Sequence, residues 1–259
     1  MIYTCYEMAR DCRANLSEGW SHFVVNYVPV IRKLLAHYAP DDPGHLDRIL
    51  LALRDPESSM FRSLEPAPER WFMAELRQKV LAELTTPPAD IELDLETVAS
   101  ALEPLTMLEK QAAWFDTMRY PASETGAMLR VAPHTVEKIR ARAAELIRGK
   151  VDAWRPNLLQ ENGPALGRAA AALSTKDCLS AKTFLDIIDG RMTWRNREEL
   201  EHHVNACWHC IDRFCRMLEV VEVLRGVKPL TPQEADPFLK LLGVEERKKP
   251  LWKRLTGGA

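Results

Sequence analysis

The segment His203-Val-Asn-Ala-Cys207-Trp-His-Cys210 spaces an imidazole and two thiols at i, i+4 and i+7. On a helix those positions share one face, so the three groups can converge on one ion at the about 2.0–2.3 Å that tetrahedral zinc requires. Cys178 is the fourth donor. It stands at the start of a helical hairpin, with Phe184, Ile187 and Ile188 on one face and a stop at Asp189-Gly190. A restart follows near Asn196, with Glu199 placed to cap. A chain that must bring Cys178 back to the His203 helix has few ways to fold here. With four protein ligands no position stays open for water, so the expected site is structural. His202 and His209 are alternative ligands, but both lie off the His203/Cys207 face. Cys5, Cys12 and Cys215 lack ligand-type spacing and read as small buried residues.

Elsewhere the apolar residues recur at helical spacing. Phe23, Tyr27, Val30 and Ile31 form one such stripe; Val136, Ile139, Ala143, Leu146 and Ile147 form another. Both repeat every three to four positions. Alternating strand patterns are scarce, and the expected class is all-α. The 259 residues exceed a typical single domain, and 46% hydrophobic with 28% charged residues exclude wholesale disorder. No apolar run reaches the roughly 20 residues of a membrane span, and the N-terminus lacks a signal-peptide core. A cytoplasmic protein without a membrane partner is expected, with its cysteines reduced.

Charge is uneven along the chain. Residues 1–100 hold ten basic and sixteen acidic side chains, a net of −6; residues 105–150 hold eight and five, a net of +3. The expected organisation is a helical domain over 1–86, an acidic linker over 87–100 and a helix-turn-helix domain over 101–154. A linker or a short helix over 155–176, the metal-binding hairpin over 177–228 and a basic tail over 229–259 complete it. The linkers are assigned from Thr85-Thr86-Pro87-Pro88 and from Asn162-Gly163-Pro164, the tail from Pro229, Pro232, Pro237 and Arg247-Lys248-Lys249.

Residues 121–149 read as a helix-turn-helix. Pro121 opens the first helix and Gly126 allows close crossing. A turn at Arg130–Pro133 follows, then a second helix that buries Val136, Ile139, Ala143 and Leu146. His134, Thr135, Lys138 and Arg142 fall near its outer face with Arg140 beside them. Such a helix can enter a major groove, its first residues reaching base edges while the cations meet phosphates.

These residues carry two resemblances. Cys178, Asp189-Gly190, Glu201, His203, Cys207 and Cys210, followed by an amphipathic helix, resemble the zinc-binding anti-sigma domain. In that family the domain grips a sigma factor and blocks it from RNA polymerase; some members release it on oxidation of the zinc thiolates. Residues 105–148, through Thr135-Val136, Arg142-Ala143 and Leu146, are similar to the promoter-reading domain of bacterial sigma factors of the extracytoplasmic-function group. Three positions depart from that pattern. Arg130 stands where Gly is usual, Ala132 replaces the capping Ser at a cost of about 1 kcal/mol, and Glu137 puts a negative charge on the recognition helix. Residues 20–84 match the preceding sigma domain only through Trp20, Phe23, Tyr27 and Ile31, His45–Leu53 and Trp71-Phe72, and these aromatic clusters read as core.

The resemblance implies a transcription regulator that binds promoter DNA and core RNA polymerase, controlled in cis by its own zinc domain. A second sigma or anti-sigma factor is a further partner it implies. The rival expectation is a degenerate sigma-like chain that binds only proteins. No H-E-x-x-H, phosphate loop or nucleotide-binding glycine turn occurs, and an enzyme is not expected.

Overall fold

The computed structural model of the protein describes residues 3–40, 44–84, 89–192 and 194–244. Among these are fourteen helices and no strand. The first five are α1 (Cys5–Arg13), α2 (Ser17–Tyr38), α3 (His45–Arg54), α4 (Ser59–Arg62) and α5 (Glu69–Ala82). Next come α6 (Leu95–Leu102), α7 (Met107–Thr117), α8 (Ala122–Leu129), α9 (Pro133–Arg148) and α10 (Leu158–Ala172). The last four are α11 (Ala181–Ile188), α12 (Trp194–Ala206), α13 (Trp208–Gly226) and α14 (Pro232–Leu241). The chain divides into two compact units, one of residues 1–84 with 223–259 and one of residues 85–222.

The first unit is built around α2. Trp20, Phe23, Tyr27 and Ile31 all turn inward, and the Tyr27 ring meets Phe72 of α5 edge-on at 5.1 Å. The aromatic stripe is therefore core. Pro29 lies inside α2 and has no N–H to give to the carbonyl of Val25, four residues back. That carbonyl instead accepts the N–H of Leu230 at 2.9 Å, which ties the segment before α14 to a gap in the α2 ladder. Arg32 lies over the Phe238 ring at 4.8 Å, and Arg54 donates from Nε to the Leu242 carbonyl at 3.1 Å while stacking on Trp20.

Residues 232–241, expected within a loose tail, thus form a packed helix that buries Ala235, Phe238 and Leu239. Pro232, one of the prolines that suggest a loose tail, occupies the first helical position behind a Thr231–Glu234 capping box, where its missing N–H costs nothing. Arg247-Lys248-Lys249 of the expected tail, and residues 85–88 at the expected boundary between the first domain and the acidic linker, lie outside the described residues.

The second unit surrounds α7, whose Ala112, Ala113, Trp114 and Phe115 are buried. A Thr106–Glu109 capping box starts it. Ala112 packs with Val136 and Ile139 of α9, and Ala122, Leu129 and Val131 close that cluster. Residues 158–172, expected within a linker, form α10. Its Asn162 is almost fully buried, accepting the Leu93 N–H and donating to the Ile91 carbonyl, each at 2.9 Å. At Gly163 a Cβ would collide with the Thr117 carbonyl. The Asn-Gly-Pro signal marks a close helix crossing here, not a flexible tether. Within the expected acidic linker, Asp94 caps α6 by accepting the Thr97 N–H at 2.7 Å.

Candidate metal centre

Cys178 sits in a turn ahead of α11, its N–H donating to the Thr175 carbonyl at 3.2 Å. Ser180 then caps α11 by accepting the Thr183 N–H. The helix ends in a Schellman motif: Gly190 takes φ +69°, its N–H reaches the Ile187 carbonyl, and the Arg191 N–H reaches that of Asp186. The Asp189-Gly190 stop reverses the chain as expected. The expected caps at Asn196 and Glu199 lie outside the described side chains.

The other three donors differ in one respect from the sequence reading. They do not share one uninterrupted helix: α12 ends at Ala206, Cys207 is the junction and α13 starts at Trp208. The i to i+4 relation survives the break, because the Cys207 N–H reaches the His203 carbonyl and the Ile211 N–H that of Cys207, both at 3.0 Å.

The four donor atoms of Cys178, His203, Cys207 and Cys210 lie within 4.8 Å of one another. Cys178 Sγ and Cys207 Sγ are 3.7 Å apart, and Cys210 Sγ is 3.3 Å from His203 Nε2. Two sulfurs held tetrahedrally at about 2.3 Å from one ion stand about 3.8 Å apart, and a sulfur and an imidazole nitrogen about 3.5 Å. A disulfide would need about 2.05 Å. The spacing fits a shared metal ion and excludes a bond between the sulfurs, and all six cysteines are free. Cys210 is fully buried, while the other three donors are half-buried.

The thiols are tuned in opposite directions. Burial pushes Cys178 up, but donors from the Thr175 hydroxyl and backbone N–H, then contacts to Cys207 and His203, outweigh it and bring the group down to about 6. Burial pushes Cys210 up, and despite the Leu179 N–H the negative Cys207 and Cys178 help carry it to about 12. Thr175, whose N–H stands 3.3 Å from Cys178 Sγ, is a supporting residue that the ligand pattern alone did not reveal. Its place three residues before a ligand cysteine is the signal that could have found it. His209 directs Nδ1 to the Ala171 carbonyl at 3.2 Å and His202 is exposed, so neither joins the cluster.

A seam joins the part that carries this candidate centre to α7 and the turn after it, inside the same unit. Lys110 Nζ donates to the Asn205 carbonyl at 2.9 Å, Trp114 Nε1 to Asp212 Oδ1 at 3.0 Å, and the Tyr120 hydroxyl to Glu219 Oε1 at 2.6 Å. The Trp114 and Trp208 rings lie 5.3 Å apart. Asp212 and Glu219 are buried, so their hydrogen bonds offset the cost of taking carboxylates out of water.

The helix pair α8–α9 is joined at Arg130–Ala132, and Arg130 takes the left-handed φ of +57° that Gly would favour. At Gly126 a Cβ would stand 2.7 Å from the Val131 carbonyl, so the glycine lets α8 approach the connecting turn closely. α9 buries Val136, Ile139, Ala143 and Ile147, with Leu146 only half-buried. His134 and Lys138 are exposed and Thr135 is half-buried. Arg140 turns inward, donating to the Tyr120 carbonyl at 2.8 Å and Thr125 Oγ1 at 3.0 Å, with Asp116 Oδ1 at 3.5 Å. Arg142 pairs with Glu109 at 2.8 Å. Of the five candidate DNA contacts, Arg140 holds the fold and Arg142 is engaged. Among the described residues no helix is long and apolar enough to cross a membrane. Comparison of the chain with protein-family models, curated proteins and solved structures finds no match.

Proposed function

We propose that the chain is a sigma-factor-like transcription regulator whose zinc-binding module is held in cis against its helix-turn-helix part. The observation that carries this reading is the seam of Lys110–Asn205, Trp114–Asp212 and Tyr120–Glu219, which fastens α12 and α13 to the helix preceding α8 and α9. Zinc is the assigned ion because three thiols and one imidazole in tetrahedral spacing are its characteristic donor set. When bound, the ion supplies a cross-link between the start of α11 and the α12–α13 junction. Cys178, His203, Cys207 and Cys210 hold it, and Thr175 orients Cys178. Control is by packing within one unit instead of by a tether at 155–176, since that stretch is α10.

The inward Arg140 and the Arg142–Glu109 pair favour a second reading in which the chain binds protein partners without DNA. A surface pair such as Arg142–Glu109 contributes only about 0–1 kcal/mol and opens readily, so Lys138, His134 and Arg142 remain able to meet phosphates. Promoter-directed transcription by core RNA polymerase, with the wild type and with Tyr120→Phe/Asp212→Ala, tests the regulator. The loosened seam is expected to raise transcription severalfold; equal output from both would overturn control in cis. Salt-dependent DNA binding that Lys138→Ala weakens distinguishes the regulator from the protein-only reading.

A further inference from the structure

Lys110 is only 5% exposed, and burial lowers its pKa. Long ammonium side chains are seldom buried without a partner. Here Nζ meets the Asn205 carbonyl, 2.9 Å away. That carbonyl belongs to the last turn of α12, where backbone acceptors lose their partners and the helix dipole favours a cation. Asn205 stands two residues after His203 and two before Cys207, so the carbonyl held by Lys110 is flanked by two metal donors.

We infer that Lys110 is a positioning residue for the metal centre, coupling zinc occupancy to the packing of α7 against α12. The inference rests on the metal reading of the quartet and not on DNA or polymerase binding. Zinc with three thiolates and a neutral imidazole carries one net negative charge, and Lys110 supplies a buried positive charge to the turn that holds two of those ligands. A neutral donor could satisfy the carbonyl but would not balance that charge. Because the coupling is thermodynamic it is reciprocal. Zinc that fixes His203 and Cys207 fixes the Asn205 carbonyl and so α7; α7 in place holds the turn ready for zinc.

The test is zinc affinity of the full chain, measured in competition with a chromophoric chelator, for the wild type, Lys110→Met, Lys110→Arg and Tyr120→Phe. Supporting groups of this kind change metal affinity by about tenfold or more. Lys110→Met is expected to weaken zinc binding about tenfold while shifting the thermal midpoint of the metal-free chain little, because removing a buried charge and leaving the Asn205 carbonyl without its donor act in opposite directions. Lys110→Arg restores most of the affinity. Tyr120→Phe, at the far end of the seam from the Asn205 turn, lowers the midpoint with a much smaller loss of zinc affinity than Lys110→Met. A Lys110→Met chain that binds zinc as tightly as the wild type would overturn the inference. If that variant fails to fold, amide exchange of the wild type decides. Zinc is expected to slow exchange across Met107–Thr117, and identical exchange with and without zinc would overturn the coupling. A wild type that binds no zinc at all removes the metal reading itself, which the first titration alone reveals.

Discussion

Cys178 and Cys210 belong to one donor cluster yet titrate far apart, at about 6 and about 12. At pH 8 Cys178 is already a thiolate, while Cys210 is still a thiol and must lose its proton to bind an ion. Zinc binding at pH 8 is therefore expected to release at least one proton, that of Cys210. Calorimetry in buffers of different ionisation enthalpy measures this, and zero release would contradict the assignment. Below pH 6 Cys178 also takes up a proton, so apparent affinity should fall more steeply there. Arg140 and Lys138 are separated by another comparison. Arg140→Ala removes three hydrogen bonds and an ion pair inside the fold and is expected to cost about 1–3 kcal/mol, whereas exposed Lys138→Ala should leave the thermal midpoint unchanged. Equal effects of both on stability would contradict the inward placement of Arg140. Whereas Cys178 came only from the expected hairpin, three members of the candidate quartet were legible in the sequence because donor spacing of four and three is a local property. Lys110, 95 positions from Asn205, was not, because nothing local marks a lysine as the cap of a distant helix.

Among the elements, helix class was legible throughout and helix ends were not. The stripes over Phe23–Ile31 and Val136–Ile147 report their periodicity directly, but prolines and glycines carry two meanings. At Asp189-Gly190 the glycine ends a helix, as its positive φ requires. At Asn162-Gly163-Pro164 the same residue types sit inside α10, where the Thr117 backbone leaves no room for a side chain. Pro29 is a third case, since the carbonyl it frees is used by another segment. Leu230→Pro would remove the N–H that reaches Val25 and leave that carbonyl without its donor. The expected cost is about 1–3 kcal/mol, seen as faster amide exchange in α14 with that of α7 unchanged. Unchanged exchange in α14 would show that the Leu230 bond contributes nothing to holding the segment. The break at Cys207 follows the same pattern: donor spacing is set by i to i+4 hydrogen bonds that cross the junction, so the sequence spacing brought these donors together while missing the end of α12.

The candidate metal-binding residues and the helix pair α8–α9 belong to one compact unit of residues 85–222. The sequence divided that unit into a helix-turn-helix domain, a linker and a zinc domain, because each piece carries its own local signal. What joins them is a set of buried partners drawn from separate pieces, with Trp114 on Asp212, Tyr120 on Glu219 and Lys110 on Asn205. If the proposed control in cis operates, metal loading stabilises a packed arrangement in which the sigma-like surface is held back, and loss of metal loosens it. The most direct test is the amount of core RNA polymerase retained by the immobilised full chain when zinc-loaded and again after zinc is stripped by a chelator. Low retention is expected with zinc, and severalfold higher retention without it. Equal retention in the two states, or none in either, would contradict metal-dependent control in cis.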